Sequence, residues 1–483
     1  MLHDPSSGYS IFLSYHPCTG YQPYKSGFPL LSRTLLWYAS LQINGSKGGS
    51  AVSLSKKTVH ELVSDSSFPL FLLLVGAFFL TVFFRISASV VLPLEGVRLG
   101  MSASLIGFIS SVHFYAYAFL QPVSGVLHDR YGPVRVVTFG LLLTAASCLL
   151  LTLVRTPFTL GAWRLLSGFG VAPMYSAVLV FQAFAFPPER YCFYAAINLG
   201  LSSLGAIVSV APLGFAIDTF GMTATFVLLA AVPLLMSFFL MTKASKDPIR
   251  LSSAGKADGG LLSILPGILK AVLFVFKTPR LRALQTLWAV SSASLLTFQG
   301  LWGVSWFAAA FDASPASARF WSSLVSVGMM MGPILTSGMV VTPASLPAAM
   351  KKVSTANALS WFFLLAAAWW SPAVWVGGVG ALFVGMTSGM RGVFSLAAIT
   401  AISPAGKRGS VFGAMNMTAV LSAVVFQWGT GFIIDHFPGA VPGTFTAEGY
   451  FAGFLAVACA MAASLLALKP LGSDPLHPEP GME

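Results

Sequence analysis

The sequence predicts an all-α membrane protein with twelve transmembrane helices in two pseudo-symmetric six-helix bundles. Three observations carry this reading. The 483 residues are 56% apolar and only 9% charged, whereas soluble domains carry about 25% charge. The apolar stretches are continuous runs of roughly twenty residues, the length of a helical span, without the alternation of a barrel strand. Short segments also recur in the same order in the two halves of the chain.

Residues 1–66 are polar, rich in Ser and Gly and dotted with Tyr. They lack the basic start, apolar run and small-residue cleavage site of a signal peptide and are expected to be disordered. The apolar stretch at 30–43 contains Arg33 and is too short to span. No Met stands between Met1 and Met101, so a start further along, at a non-Met codon, is one expectation for this segment. A first bundle is expected over 67–242, with spans at 68–92, 104–125, 136–154, 158–183, 191–215 and 222–242. A loop at 243–282 follows. A second bundle over 283–468 holds spans at 283–308, 318–341, 354–371, 373–400, 409–433 and 449–468, and a tail covers 469–483.

The loop carries Lys243, Lys246, Arg250, Lys256, Lys270, Lys277, Arg280 and Arg282 against only Asp247 and Asp258, which assigns it to the cytoplasm. Arg130, Arg135, Arg190, Lys351, Lys352, Lys407 and Arg408 then fall on the same side. The opposite loops hold little beyond Arg98, Arg155 and Arg319. Both termini are therefore expected inside, and the compact loops suggest a bacterial cytoplasmic membrane. This asymmetry also accounts for the net charge of +12 without a nucleic-acid partner. Cys18, Cys148, Cys192 and Cys459 show no paired spacing, so neither a disulfide framework nor a zinc site is indicated.

The duplication is short but ordered. Arg190 precedes Asn198 by eight residues, and Arg408 precedes Asn416 by eight. GFAIDTF at 214–220 is echoed by GFIIDHF at 431–437. A shift of a few residues from that offset brings FFR, ending at Arg85, opposite TFQ, ending at Gln299, and QPVSG at Gly125 opposite GPILTSG at Gly338. Such repeats mark transporter folds whose substrate site lies between the halves near the bilayer midplane.

Between spans two and three runs Gly125-Val-Leu-His-Asp129-Arg130-Tyr-Gly132-Pro-Val-Arg135. It resembles the loop signature of the major facilitator superfamily. The usual basic pair after the last Gly is here Pro133 and Val134, with Arg135 one place later, and the second copy has decayed to Thr342. In span four, Arg164-Leu-Leu-Ser-Gly168-Phe-Gly170 is similar to that family's Arg/Gly pattern. Gly200, Gly205, Pro212 and Gly214 loosely resemble its Gly/Pro-rich fifth helix. The resemblance covers residues 68–468. It implies a cavity lined by helices one, four, seven and ten, and conformational or gating roles for Gly125, Asp129, Arg130, Gly132, Arg135 and Arg164. An ordinary charged turn is the plain alternative for the loop.

Arg85, Arg164 and Arg391 lie inside apolar runs, and none of the fifteen carboxylates does. A charge in hydrocarbon needs a partner, a watery cavity or an escape to the interface, and one economical partner is an anionic ligand. Arg85 and Arg391 are the first candidates to bind it. Arg164, about six residues inside its span, could instead snorkel outward. Bonding to backbone carbonyls is the structural alternative for each. Gln299, the symmetry mate of Arg85, is a neutral hydrogen-bonding candidate. Around it Gly300 and Gly303 could loosen the helix, and Trp302 and Trp306 offer aromatic walls. His113, Tyr115 and Tyr117 point in different directions around span two. Tyr117 is a candidate substrate contact, and His113 a possible proton carrier or a hydrogen-bonded packing residue. Asn198 and Asn416 are read as bonding between helices, and Asp218 and Asp435 as outer helix ends.

No phosphate-cradling loop, metal spacing or nucleophile–base arrangement is present, so an enzyme, an ATP-driven pump and a cofactor are not expected. The expected function is secondary active or facilitative transport of a small organic anion, a carboxylate or phosphate, by alternating access. The expected partners are that small-molecule substrate and the lipid bilayer, and the chain is expected to be monomeric. An amino acid, dipeptide or drug carrier, or a non-transporting sensor with a transporter fold, are the alternatives. No membrane-embedded carboxylate is visible for proton symport, which favours facilitated diffusion or exchange.

Overall fold

The structure, a computed structural model, describes residues 67–186, 191–243, 265–336, 339, 342–370, 373–404, 407–472 and 476–478. The expectations for 1–66, for Arg190, for 244–264 and for Gly338 lie outside the described residues, as does the side chain of Asp129.

Helix occupies each of the twelve expected intervals. The chain begins with α1 (Phe68–Ile86) and α2 (Ala88–Leu99), one long span interrupted at Ser87. There follow α3 (Ala103–Tyr131), α4 (Pro133–Thr152), α5 (Pro157–Val171), α6 (Met174–Ala185), α7 (Tyr191–Val208) and α8 (Ala211–Lys243). The positive φ of Gly221 turns the chain inside α8, between the fifth and sixth expected spans. After α9 (Leu265–Lys277), the seventh interval is built from α10 (Pro279–Thr297), a π turn over Phe298–Trp302 and α11 (Gly303–Ala310). The remaining helices are α12 (Pro315–Thr336), α13 (Leu346–Trp370), α14 (Val374–Ile402), α15 (Arg408–Ile434) and α16 (Ala447–Ser464). Among the described residues nine helices are long and apolar enough to cross a membrane, and no strand occurs.

The starts follow local chemistry. Pro opens α1, α4, α5 and α10, where its missing N–H costs nothing and its fixed φ suits the first turn. Thr156 and Thr159 cap α5 reciprocally. Two elements exceed expectation. α9 lies inside the expected loop, with Ala271 and Val275 buried and Leu269, Leu273 and Phe276 exposed. α3 runs on to Tyr131 and so takes His128 into a helix, fully buried.

The packing depends on small residues, which let helix backbones approach closely. α12 and α14 cross through paired glycines four apart, Gly328 and Gly332 on one and Gly385 and Gly389 on the other. A Cβ on Gly385 would collide with the Val325 carbonyl and lie 2.9 Å from the Met329 nitrogen. Because the obstacle is backbone, Gly385→Val should destabilise by about 3 kcal/mol, the upper end of ordinary overpacking; detergent thermal melts measure it. α3 and α15 join the halves in the same manner, with Gly107 on the backbone of Gln427 and Trp428 and Gly431 on that of Ala103 and Ser104. Gly205 on α7 sits against the Phe79 carbonyl of α1. At the end bearing the exposed Arg130, Arg135, Lys351 and Lys352, here the basic end, Gly125, Gly409 and Gly413 have nothing within 4 Å of where a Cβ would be.

Candidate functional site

The site is built where α1 breaks. Phe84 lies in the last turn of α1, so the break at Ser87 leaves its carbonyl free to accept from outside the helix. The Ser87 hydroxyl donates to it at 3.1 Å, and Arg164 Nη1 donates to it at 3.0 Å. Arg164 Nη2 donates to the Ser110 carbonyl of α3 at 3.1 Å, and the guanidinium lies 5.4 Å from the Trp163 ring centroid. Arg164 is fully buried. It turns inward instead of snorkelling, because two carbonyls on two other helices satisfy its fork. Gly168, one turn on, makes room: a Cβ there would sit 2.6 Å from the His113 carbonyl oxygen.

Arg85, the residue after Phe84, differs. Its side chain is partly exposed. Among the described residues no hydrogen bond or ion pair engages it, and its Nε is buried without a partner. The Tyr117 phenol lies close enough to interact with its charge. The His113 ring stacks on Tyr117 at 6.4 Å between centroids, and its Nδ1 meets the Ser167 hydroxyl at 3.2 Å. His113 Nε2 is buried and unpartnered. Three expected residues thus gather with Arg164 at the junction of α1, α3 and α5.

The second half meets this junction through the π turn. A Cβ on Gly300 would lie 3.9 Å from the Arg85 carbonyl and 3.6 Å from Gln427 Nε2, so the repeat-related Arg85 and Gln299 stand at one depth. Gln299 donates to the Ser326 hydroxyl of α12 at 2.8 Å. The loosening expected at Gly300 and Gly303 takes the form of the π turn, closed by Gly303 N–H on the Phe298 carbonyl; such turns often occur at functional sites. Trp302, only 1% exposed, packs against Tyr450 and donates to Thr430 at 3.1 Å, so the structure places it in packing between helices. Trp306 is likewise fully buried.

Arg391 lies elsewhere in the second half. It is buried, and its Nη1 donates to the Leu287 carbonyl of α10, leaving Nε unpartnered. One turn away Asn357 accepts from Ser291 at 3.0 Å and donates to Thr387 at 2.9 Å and Ser388 at 3.0 Å. This network of α10, α13 and α14 is absent from the sequence reading, as is Gln427, whose Nε2 donates to the Leu296 carbonyl at 3.0 Å while Oε1 is buried without a partner. Both are amide side chains inside membrane-length runs, a signal present in the sequence but weaker than a charge.

The expected gating residues other than Arg164 stand at the basic end. Gly132 caps α3 at φ 79°, a conformation that favours glycine, and Arg130 and Arg135 are exposed. The buried His128 meets the Pro173 carbonyl and the Ser176 hydroxyl, each at 3.0 Å. At the opposite end Glu95 pairs with Arg98, which also donates to the Val154 carbonyl at 3.0 Å.

Comparison with known proteins agrees with this architecture. The chain is 23% identical over 250 residues to "Probable anion transporter 2, chloroplastic" of Oryza sativa subsp. japonica, covering 50% of this chain and 46% of that protein. It is 24% identical over 167 residues to "Uncharacterized transporter YybO" of Bacillus subtilis (strain 168), covering 35% and 38%. The matched region therefore spans about half of these relatives or less. The fold is similar to that of the nucleoside transporter NupG, with a TM-score of 0.63, 16% identity and coverage of 83% of this chain and 99% of the other. The profile of the Major Facilitator Superfamily matches residues 74–427, and the chain belongs to that superfamily of membrane transporters.

Proposed function

We propose that the chain carries a small organic anion, with a carboxylate or phosphate group, across the membrane by alternating access. Arg85 alone carries this reading: it is the intramembrane arginine that is partly exposed and bonded to no described residue, while Arg164 and Arg391 give donors to backbone carbonyls. An anion that pairs with Arg85 would offset the cost of a charge in hydrocarbon. Tyr117 and Gln299 flank the same depth and would orient the rest of the molecule. Arg391 keeps Nη1 on the Leu287 carbonyl and has Nε to spare, so its role would be gating or secondary binding. The rice relative's printed name refers to anion transport, which supports the choice of substrate class.

The basic end would face the cytoplasm under the positive-inside rule, placing both termini there, and the remaining three helical intervals would complete twelve spans. Transport would be facilitative, by exchange or by symport; in the last case His113 Nε2 is the available proton site. The deciding experiment is counterflow into proteoliposomes with carboxylates, organic phosphates, amino acids and dipeptides. Counterflow by carboxylates or phosphates is expected. Counterflow by amino acids or dipeptides without any organic anion would overturn the anion reading, and binding without flux would make the protein a sensor.

A further inference from the structure

We infer that Asp218 and Asp435 are paired latches that hold the end opposite the basic loops closed during the transport cycle. The two residues occupy matching places in the repeats, GFAIDTF and GFIIDHF. Each reaches out of its own half. Asp435, at the end of α15, accepts from the backbone nitrogens of Ala103 at 2.5 Å and Ser104 at 3.1 Å. These are the first two N–H groups of α3, which no intrahelical carbonyl can satisfy, and a carboxylate there also meets the positive end of the helix dipole. Asp218, on α8, receives both terminal nitrogens of Arg319 from α12, Nη2 at 3.1 Å.

The offset between the repeats brings the start of α3 opposite the start of α12. Both carboxylates therefore make the same reach, from the last turns of the fifth span in one half to the first turns of the second span in the other. Only the donor differs. One latch uses bare helix amides, the other a bidentate guanidinium, the stronger geometry for a carboxylate. The sequence makes room for each. A Cβ on Gly214 would lie 2.6 Å from Arg319 Nε, so glycine lets the arginine lie across α8 on its way to Asp218. Gly431, one turn before Asp435, lets α15 close on the backbone of Ala103.

Contacts within a half persist in any rocking motion, but these two join the halves. Opening this end must break both, so each weights the equilibrium toward the closed state. The inference rests on the transport reading for its purpose, but its test does not. In the full-length chain with native cysteines replaced, Val90→Cys reports the latched end. Val90 is buried and lines a small cavity with Pro93, Val304 and Ala308. Gly392→Cys, with nothing within 4 Å of its Cβ position, reports the other half of the cycle.

Asp435→Asn should raise thiol labelling at Val90→Cys by about tenfold, the equilibrium factor of one charged hydrogen bond, and Asp218→Asn, whose side chain is 50% exposed, by about two- to fivefold. Labelling at Gly392→Cys should fall. The charge swap Asp218→Arg with Arg319→Asp should return the first rate toward that of the unmodified latch. Unchanged labelling in the double asparagine variant overturns the inference. So does a rise at both positions together, which is the mark of loosening or misfolding. Opposed shifts at the two ends in a protein that carries no substrate would keep the latch and remove the transport reading.

Discussion

Arg85→Gln should lower substrate flux in proteoliposomes by about a hundredfold while leaving the thermal midpoint within a few degrees. The magnitude follows from losing one charge-assisted pair in a dry site, for which a hydrogen bond to a charged group is worth about 1.5–3 kcal/mol. The unchanged stability follows from the geometry: Arg85 bonds to no described residue, so glutamine strands no carbonyl and removes a charge from hydrocarbon. Counterflow and a fluorescence melt on the same preparation read both quantities. Flux at the unmodified level in a correctly inserted variant would exclude Arg85 as the anion anchor.

Arg164→Leu is expected to reverse that pattern. Its two nitrogens hold Phe84 of α1 and Ser110 of α3 from α5, and leucine would leave both carbonyls without that donor. At about 1.5–3 kcal/mol for each charged bond, the loss of both is about 3–6 kcal/mol, enough to lower the midpoint well below that of the Arg85 variant. Arg164→Lys should recover only part, because an ammonium lacks the planar fork that spans two helices. Equal midpoints for Arg164→Leu and Arg85→Gln would show that the carbonyl bonds do not set the junction.

The architecture was legible because apolar run length reports directly on a helix that must cross hydrocarbon, and because the duplicated segments survive near helix ends. Boundaries fared less well. α3 continues past the apolar run to Tyr131 because helix is set by backbone bonding, and His128 within that extension is buried against Pro173 and Ser176. α9 lies within the expected loop: its 13 residues are too few to span and so give no signal of run length, yet Ala271 and Val275 find a packed surface. At the site, the cost of a buried charge singled out three arginines but could not say where each side chain turns. That depends on which carbonyls lie free, and the carbonyl of Phe84 is free only because α1 breaks at Ser87. Uncharged amides carry a smaller cost than a charge, so Asn357 and Gln427 do not stand out in their runs as the arginines do. The pairing of Asp218 with Arg319 links residues on different halves, so no local pattern announces it.

The π turn at Phe298–Trp302 carries one residue more than an α-helical turn would hold. Moving that surplus residue along the helix by one place would rotate the intervening side chains by about 100° around the axis. Gln299 lies within the turn and Gly300 lies against Arg85. A register slip there would swing the amide off the Ser326 hydroxyl without translating α10 or α11, so one side of the junction could change while both flanking helices stay in place.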